Sequence, residues 1–117
     1  AIGGRYLNSP IGNCEYSDIT VFSFHPVKII TTGEGGMALT RQFELYKRMQ
    51  RLRTHGIVRE PDEMPGQSDG PWYYQQIELG FNYRLTDLQA ALGLSQLKRL
   101  DTFISQRSSI ENTLAAS

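Results

Sequence analysis

The sequence lacks three features that would each place it in a particular class of protein. It has a single cysteine, Cys14, which excludes an intramolecular disulfide framework and a zinc site built from cysteine pairs. Its 12 basic and 12 acidic residues give no net charge, so neither nucleic acid nor a membrane surface is an expected partner. No apolar run reaches membrane-spanning length and no signal peptide is recognisable, so we expect a cytoplasmic protein.

What the sequence does have is a strand that leads directly to a lysine. Residues 19–24 alternate in polarity and are rich in β-branched and aromatic side chains, which predicts a β-strand. Pro26 ends this strand because proline lacks a backbone donor. Lys28 follows between Val27 and Ile29, and this apolar setting predicts a buried, neutral and nucleophilic amine. An ordinary surface lysine beside a turn is the alternative.

A glycine-rich turn and a second strand come next. Residues 33–36 read Gly-Glu-Gly-Gly, which is too rich in glycine for a helix or a strand interior. The pattern indicates either a plain hairpin loop or a backbone that something else approaches closely. Residues 37–40 predict a short strand, and a helix capped by Thr40 and stopped by Gly56 follows. Residues 57–79 predict a long irregular connection.

The last third of the chain predicts helix. Residues 80–85 read Gly-Phe-Asn-Tyr-Arg-Leu, and Thr86 with Gln89 then forms the pattern of a capping box. Apolar residues recur at helical spacing as far as Leu114. The length of this stretch predicts a bend near Leu100.

Two sequence blocks together resemble the DegT/DnrJ/StrS family of sugar-nucleotide aminotransferases. Residues 23–28, Ser-Phe-His-x-x-Lys, with Gly-Glu-Gly-Gly after them, are similar to the family's Schiff-base segment. Residues 80–93 are similar to a second family block in the expected order, so the resemblance covers nearly the whole chain. It implies an α/β fold: part of the large domain of a fold type I pyridoxal-phosphate transferase, with a mostly parallel sheet, flanking helices and a long helical segment at the end. Residues 1–99 would be the C-terminal part of that domain, and residues 100–117 a helix leading to a small domain outside this chain.

The resemblance also implies roles for five residues. Lys28 would be the Schiff-base lysine for pyridoxal 5'-phosphate, and later the general acid and base. Ser23 would bind the cofactor phosphate, unless the backbone alone satisfies its hydroxyl, and His25 would line the substrate site. Asn82 would reach the partner's cofactor phosphate in a homodimer with shared active sites. Arg84 would bind a phosphate or carboxylate of the substrate, with a structural salt bridge as the alternative, and no metal is expected.

The implied reaction is transamination of a nucleotide-linked 4-keto-6-deoxy sugar with L-glutamate as amino donor. Residues 53–59, 70–74 and 93–97 most resemble the family's transaminases of the pseudaminic acid route. A lysine at position 28 argues against a sugar dehydratase of the same family, because those enzymes carry histidine there. The order of residues also argues against a phosphate-loop nucleotide binder, because the lysine precedes the glycines here. A non-catalytic, helix-rich interaction module is the remaining alternative. Because family members are several times longer, we expect a fragment that is inactive alone.

Overall fold

The computed structural model describes residues 1–115 and divides them into two compact units. The first unit contains residues 1–41 together with the chain from Leu85 onward, and the second contains Gln42–Arg84. The predicted boundary between residues 99 and 100 stays a prediction. No helix in the described part of the chain is long and apolar enough to cross a membrane.

The first unit is built on the predicted pair of strands. Strand β3 (Thr20–Ser23) pairs antiparallel with β4 (Gly36–Leu39), which confirms both strands to within one or two residues. The mostly parallel sheet expected of the whole domain is not found within residues 1–115, where all three strand pairs are antiparallel. The pairing of β3 with β4 is antiparallel because the short segment between them contains no crossover helix.

The core of the first unit lies on one face of this strand pair. Phe22, Phe24 and Ile30 are buried, and Leu100 and Phe103 from the C-terminal helix pack against them. Burying a side chain of this size stabilises a fold by about 1.5–3 kcal/mol. The core therefore fixes both the strand and the return of the chain after Lys28.

A short hairpin precedes β3 at the start of the first unit. Strand β1 (Arg5–Tyr6) pairs antiparallel with β2 (Ser9–Pro10). The two residues between the strands, Leu7 and Asn8, both have positive φ values, 45° and 65°. Positive φ at both residues is typical of a type I′ hairpin turn, which asparagine favours and leucine does not, so the hairpin is only weakly indicated by sequence.

The C-terminal helices confirm the predicted capping box and bend. Helix α2 (Asp87–Leu97) begins after Thr86, whose side chain and that of Gln89 form both bonds of the box. Helix α3 (Leu100–Ala115) follows after a break at residues 98–99, close to the predicted position.

The second unit begins with helix α1 (Phe43–Leu52), whose predicted cap is wrong. The residue at the N-cap position is Gln42, and no side-chain hydrogen bond caps the helix. The Thr40 hydroxyl instead donates to the Asp18 carbonyl at 2.7 Å. Gly56 has the predicted left-handed conformation, with φ of 71°, but the helix ends several residues before it.

The long connection of the second unit is closed by a strand pair. Strand β5 (Ile57–Val58) pairs antiparallel with β6 (Gln75–Gln76), and a 3-10 helix (Pro61–Glu63) lies between them. The prediction of an irregular connection therefore holds for its middle and fails at its ends.

Three ion pairs join α1 to this connection. Lys47 pairs with Glu63, and Arg51 pairs with Glu78, whose second oxygen lies 3.8 Å from Arg48 Nε. The hydrogen bond to Glu63 raises the pKa of Lys47 above its ordinary value. Three of the basic side chains of α1 are thus paired with two carboxylates within the unit.

Candidate active site

The candidate site begins where the chain leaves β3. Past the strand pair, the Phe24 N–H donates to the Gly35 carbonyl at 2.8 Å. The Lys28 N–H then donates to the His25 carbonyl at 2.9 Å and closes a four-residue turn. Proline at the second position of that turn suits its geometry. We call residues 23–28, from the last residue of β3 to the end of this turn, the lysine turn.

The prediction that Lys28 is buried is wrong for the residues of this chain. Lys28 is exposed, and its neighbour Val27 is 72% exposed. The chain turns inward only afterwards, where Ile29 is half-buried and Ile30 is 3% exposed. The apolar neighbours in the sequence therefore anchor the end of the lysine turn to the core, and they do not surround the amine.

The backbone of His25 connects the two other predicted residues of this turn. Its N–H donates to Ser23 Oγ at 3.4 Å, while its carbonyl accepts from the Lys28 N–H. Because Ser23 Oγ acts as an acceptor here, its own proton can still be donated to a ligand. The backbone therefore satisfies the Ser23 hydroxyl only as an acceptor, so the alternative of a purely structural serine holds only in part.

The imidazole of His25 has a defined orientation. Its Nδ1 accepts from the Val27 N–H at 3.3 Å, so the proton of the neutral ring belongs on Nε2. Nε2 lies 4.0 Å from Glu34 Oε1; the His25 side chain is about half exposed and the Glu34 side chain is largely exposed. The sequence pattern gave Glu34 no role beyond its place among the glycines.

Side chains of helix α2 form hydrogen bonds with the glycine-rich turn and with the segment before it. The Glu34 carbonyl accepts from Thr32 Oγ1 at 2.7 Å and from Gln89 Nε2 at 3.0 Å. Gln96 Oε1 accepts from the Thr31 N–H at 2.9 Å. Sequence reasoning found Gln89 only as part of a helix cap and missed this second contact.

Asn82 and Arg84 lie together in the second unit. Asn82 forms an isolated antiparallel bridge with Thr54. Asn82 and Arg84 are both exposed. The flanking rings of Phe81 and Tyr83 stack at 4.9 Å between centroids. Since side chains alternate along extended backbone, Asn82 points away from these rings.

These residues form two groups that differ in chemistry. The lysine turn offers an exposed primary amine and a hydroxyl donor on adjacent backbone, which can bind an aldehyde and a phosphate respectively. The second unit offers an amide and a guanidinium, both suited to phosphate or carboxylate. Within residues 1–115, no group of three His, Cys, Asp or Glu side chains is placed to hold a metal ion.

Comparison with known proteins gives consistent matches in sequence and fold. The chain is 42% identical over 110 residues to the UDP-4-amino-4,6-dideoxy-N-acetyl-beta-L-altrosamine transaminase of Campylobacter jejuni, covering 94% of this chain and 26% of that protein. It superposes on PseC of Helicobacter pylori, an aminotransferase of pseudaminic acid biosynthesis, with a TM-score of 0.74 and 36% identity, covering 87% of this chain and 24% of that one. It also superposes on the PLP form of Spr1654 of Streptococcus pneumoniae, assigned as a sugar aminotransferase, with a TM-score of 0.77 and 33% identity, covering 96% and 27%.

The matches confirm the predicted fold class, and they show that the chain spans about a quarter of the length of these relatives. The family model of the DegT/DnrJ/EryC1/StrS aminotransferases matches residues 1–117. The resemblance that the two sequence blocks indicated is thereby confirmed, and the chain belongs to the DegT/DnrJ/EryC1/StrS aminotransferase family.

Proposed function

We propose that the full-length protein is a pyridoxal-phosphate-dependent aminotransferase of a nucleotide-linked 4-keto-6-deoxy sugar, with L-glutamate as the amino donor. The observation that carries this proposal is the lysine turn, which presents an amine and a hydroxyl donor in a chain of this family. The activity belongs to the full-length protein, and we expect residues 1–117 alone to lack it.

The residues of the lysine turn fit the cofactor. Ser23 Oγ–H donates to the phosphate, and Lys28 Nζ holds the aldehyde end. When bound, pyridoxal phosphate supplies an electron sink that acidifies the carbon bearing the substrate nitrogen. Lys28 Nζ, as a free amine, takes that proton and returns it. Because Lys28 is exposed within this chain, we expect segments outside residues 1–117 to exclude water from it.

The remaining predicted residues serve the substrate and the partner subunit in this proposal. His25 directs its Nε2 side toward the substrate pocket, and that nitrogen lies 4.0 Å from Glu34 Oε1. Arg84 binds a phosphate or carboxylate of the substrate. Asn82 donates to the cofactor phosphate of the neighbouring subunit in a homodimer.

The sugar is proposed from the relatives and from the residue at position 28. A relative at 42% identity is a transaminase named for a UDP-linked dideoxy amino sugar, and a fold match is an aminotransferase of pseudaminic acid biosynthesis. Both support a 4-keto-6-deoxy sugar nucleotide of that route as the acceptor. Lys28 favours amino transfer over dehydration. Its amine can bind the aldehyde as a Schiff base, whereas the histidine that the family's dehydratases carry at this position cannot.

Chemical trapping of the cofactor tests the central assignment. The full-length protein is incubated with pyridoxal phosphate, reduced with borohydride and digested, and the modified peptide is identified by mass spectrometry. We expect the label on Lys28, and we expect Lys28→Arg to lose both the label and the release of 2-oxoglutarate from glutamate. Lys98→Arg, at the break between α2 and α3, is the matched control and should keep both. A label on another lysine, or normal turnover of Lys28→Arg, would contradict the proposal.

A further inference from the structure

One face of α2 contacts the segment that follows the lysine turn. Gln89, Gly93 and Gln96 recur at intervals of four and three residues, so they lie on the same side of the helix. Gln96 accepts from the Thr31 N–H, as described above. A Cβ at Gly93 would lie 2.8 Å from Thr32 Cγ2, so glycine is what lets the helix approach this segment so closely.

The amide of Gln89 makes two different bonds at once. Its Oε1 accepts from the Thr86 N–H at 3.0 Å, which is the helix cap, and its Nε2 donates to the Glu34 carbonyl at 3.0 Å. A backbone N–H can only donate and a carbonyl can only accept, so the two partners fix the orientation of the amide. Gln89 thereby ties the start of α2 to the glycine-rich turn.

The glycine-rich turn needs such a tether. Glu34 stands between Gly33, with φ of 81°, and Gly35, with φ of 155°. Glycine backbone is conformationally free, so these neighbours do not by themselves fix where the Glu34 side chain points. The Glu34 carbonyl, with Thr32 Oγ1 and Gln89 Nε2 as its two donors, fixes the peptide plane after Glu34 and so limits the positions that the side chain can reach.

From Glu34 the contacts lead to the lysine turn. The Glu34 carboxylate lies 4.0 Å from His25 Nε2. The His25 backbone in turn bonds to Ser23 Oγ and to the Lys28 N–H. A displacement of Glu34 would therefore shift the backbone that positions Ser23 and Lys28, the two residues that hold the cofactor in the proposed function.

We propose that Gln89 is a positioning residue for the lysine turn. It holds the Glu34 carbonyl and so keeps the Glu34 carboxylate against His25, which orients the backbone that presents Ser23 and Lys28. The catalytic consequence rests on the proposed function, whereas the tether itself does not.

Two substitutions in the full-length protein separate the tether from the helix cap. Gln89→Glu keeps an oxygen that accepts from the Thr86 N–H, since glutamate is a normal capping-box residue, but it has no donor for the Glu34 carbonyl. Thr86→Val, the matched control, removes the hydroxyl that caps the Gln89 N–H and that also donates to Gln89 Oε1. The Thr86 N–H remains to hold Gln89 Oε1, so Nε2 stays opposite the Glu34 carbonyl.

The first readout is hydrogen exchange in the cofactor-free protein. The Phe24 N–H bonds to the Gly35 carbonyl and the Thr32 N–H bonds to the Phe24 carbonyl, so both amides report on the glycine-rich turn. Gln89→Glu should raise their exchange rates about fivefold, the effect of losing one hydrogen bond, while α2 stays protected. Thr86→Val should instead raise exchange in the first turn of α2 and leave Phe24 and Thr32 unchanged.

The second readout is the rate at which Lys28 attaches pyridoxal phosphate, followed by absorbance. Gln89→Glu should slow attachment about fivefold, for the same reason, and lower kcat more than it changes KM for the sugar nucleotide. Unchanged exchange at Phe24 and Thr32 in Gln89→Glu overturns the tether. If exchange rises but wild-type Lys28 never attaches the cofactor, the tether stands and the proposed function fails.

A third variant covers the case in which Gln89→Glu does not fold. Gly93→Ala adds a Cβ against Thr32 Cγ2 and pushes the same segment from the same helix face. It should raise exchange at Phe24 and Thr32 as well. If Gly93→Ala folds and leaves these amides unchanged, α2 does not hold the lysine turn.

Discussion

At the scale of single residues, the backbone of His25 links the other two predicted residues of the lysine turn. His25 donates from its backbone N–H to Ser23 and accepts at its carbonyl from Lys28. Its ring is oriented separately, through the Val27 N–H on Nδ1 and Glu34 near Nε2. The backbone of His25 is thus structural, and the substrate contact that we propose for this residue belongs to its imidazole.

Ser23→Ala tests the phosphate contact at this scale. In the full-length protein, the loss of a hydroxyl donor to a charged phosphate should weaken pyridoxal-phosphate affinity by about 1–3 kcal/mol. The dissociation constant is measured by fluorescence titration of the cofactor-free protein. Ser105→Ala in α3, whose hydroxyl donates to the Asp101 carbonyl, is the control and should bind normally. An unchanged constant for Ser23→Ala would return this serine to a purely structural role.

At the scale of elements, two glycines decide how the segment around residue 80 meets the end of α1. A Cβ at Gly80 would lie 2.2 Å from the Gly56 nitrogen and 2.7 Å from the Leu52 carbonyl oxygen. A Cβ at Gly56 would lie 1.8 Å from the Glu78 carbonyl oxygen. These contacts are backbone against backbone, so no side-chain rotation could relieve them. The close approach lets the Phe81 N–H reach the Leu52 carbonyl at 2.7 Å.

Gly80→Ala should therefore destabilise the second unit. Because rigid backbone must move to admit the methyl group, the cost should be at least about 2 kcal/mol of local unfolding free energy. Hydrogen exchange of the Phe81 and His55 amides, which bond across this contact, measures it. Gly66→Ala is the control, since a Cβ there would meet only Gln75 Nε2, at 3.5 Å. Equal exchange in the two variants would show that the close approach is not needed.

At the scale of the whole molecule, the chain presents a large apolar surface for its size. Large apolar side chains that are at least 70% exposed occur in both units: Leu7, Val21, Val27, Trp72, Leu79, Tyr83, Leu88 and Leu114. Exposed apolar residues in such number are typical of surfaces that other parts of a protein cover. This fits a chain that spans about a quarter of its relatives' length. We expect the rest of the protein, and the partner subunit, to cover them.

Subunit complementation tests the proposed sharing of active sites. Full-length Lys28→Ala and Asn82→Ala proteins are inactive or nearly so in this proposal, and they are mixed so that subunits exchange. If Asn82 serves the neighbouring site, each mixed dimer has one site with both lesions and one site with neither. Activity per mixed dimer should then rise toward half that of the wild type. A mixture of Lys28→Ala with Lys28→Arg is the control and should stay inactive. Mixed dimers without activity would show that Asn82 does not act across the interface.

The amino-acid sequence by itself determined the features that depend on neighbouring residues. The alternation at residues 19–24, the capping box at Thr86 and the left-handed Gly56 are all present as predicted, because each follows from local backbone preference. The order of the two sequence blocks also identified the family, which the comparisons confirm.

Only the tertiary structure decided the features that depend on contacts distant in sequence. Lys28 is exposed because Ile30 packs into a core completed by α3, and no local pattern shows which side of a turn faces that core. Gln89 reaches the Glu34 carbonyl across 55 residues of sequence, a contact that its role in the helix cap does not reveal. Periodicity and capping patterns predict the secondary structure of one segment from its own residues. The exposure of a side chain and its long-range contacts depend instead on which segments meet in the fold.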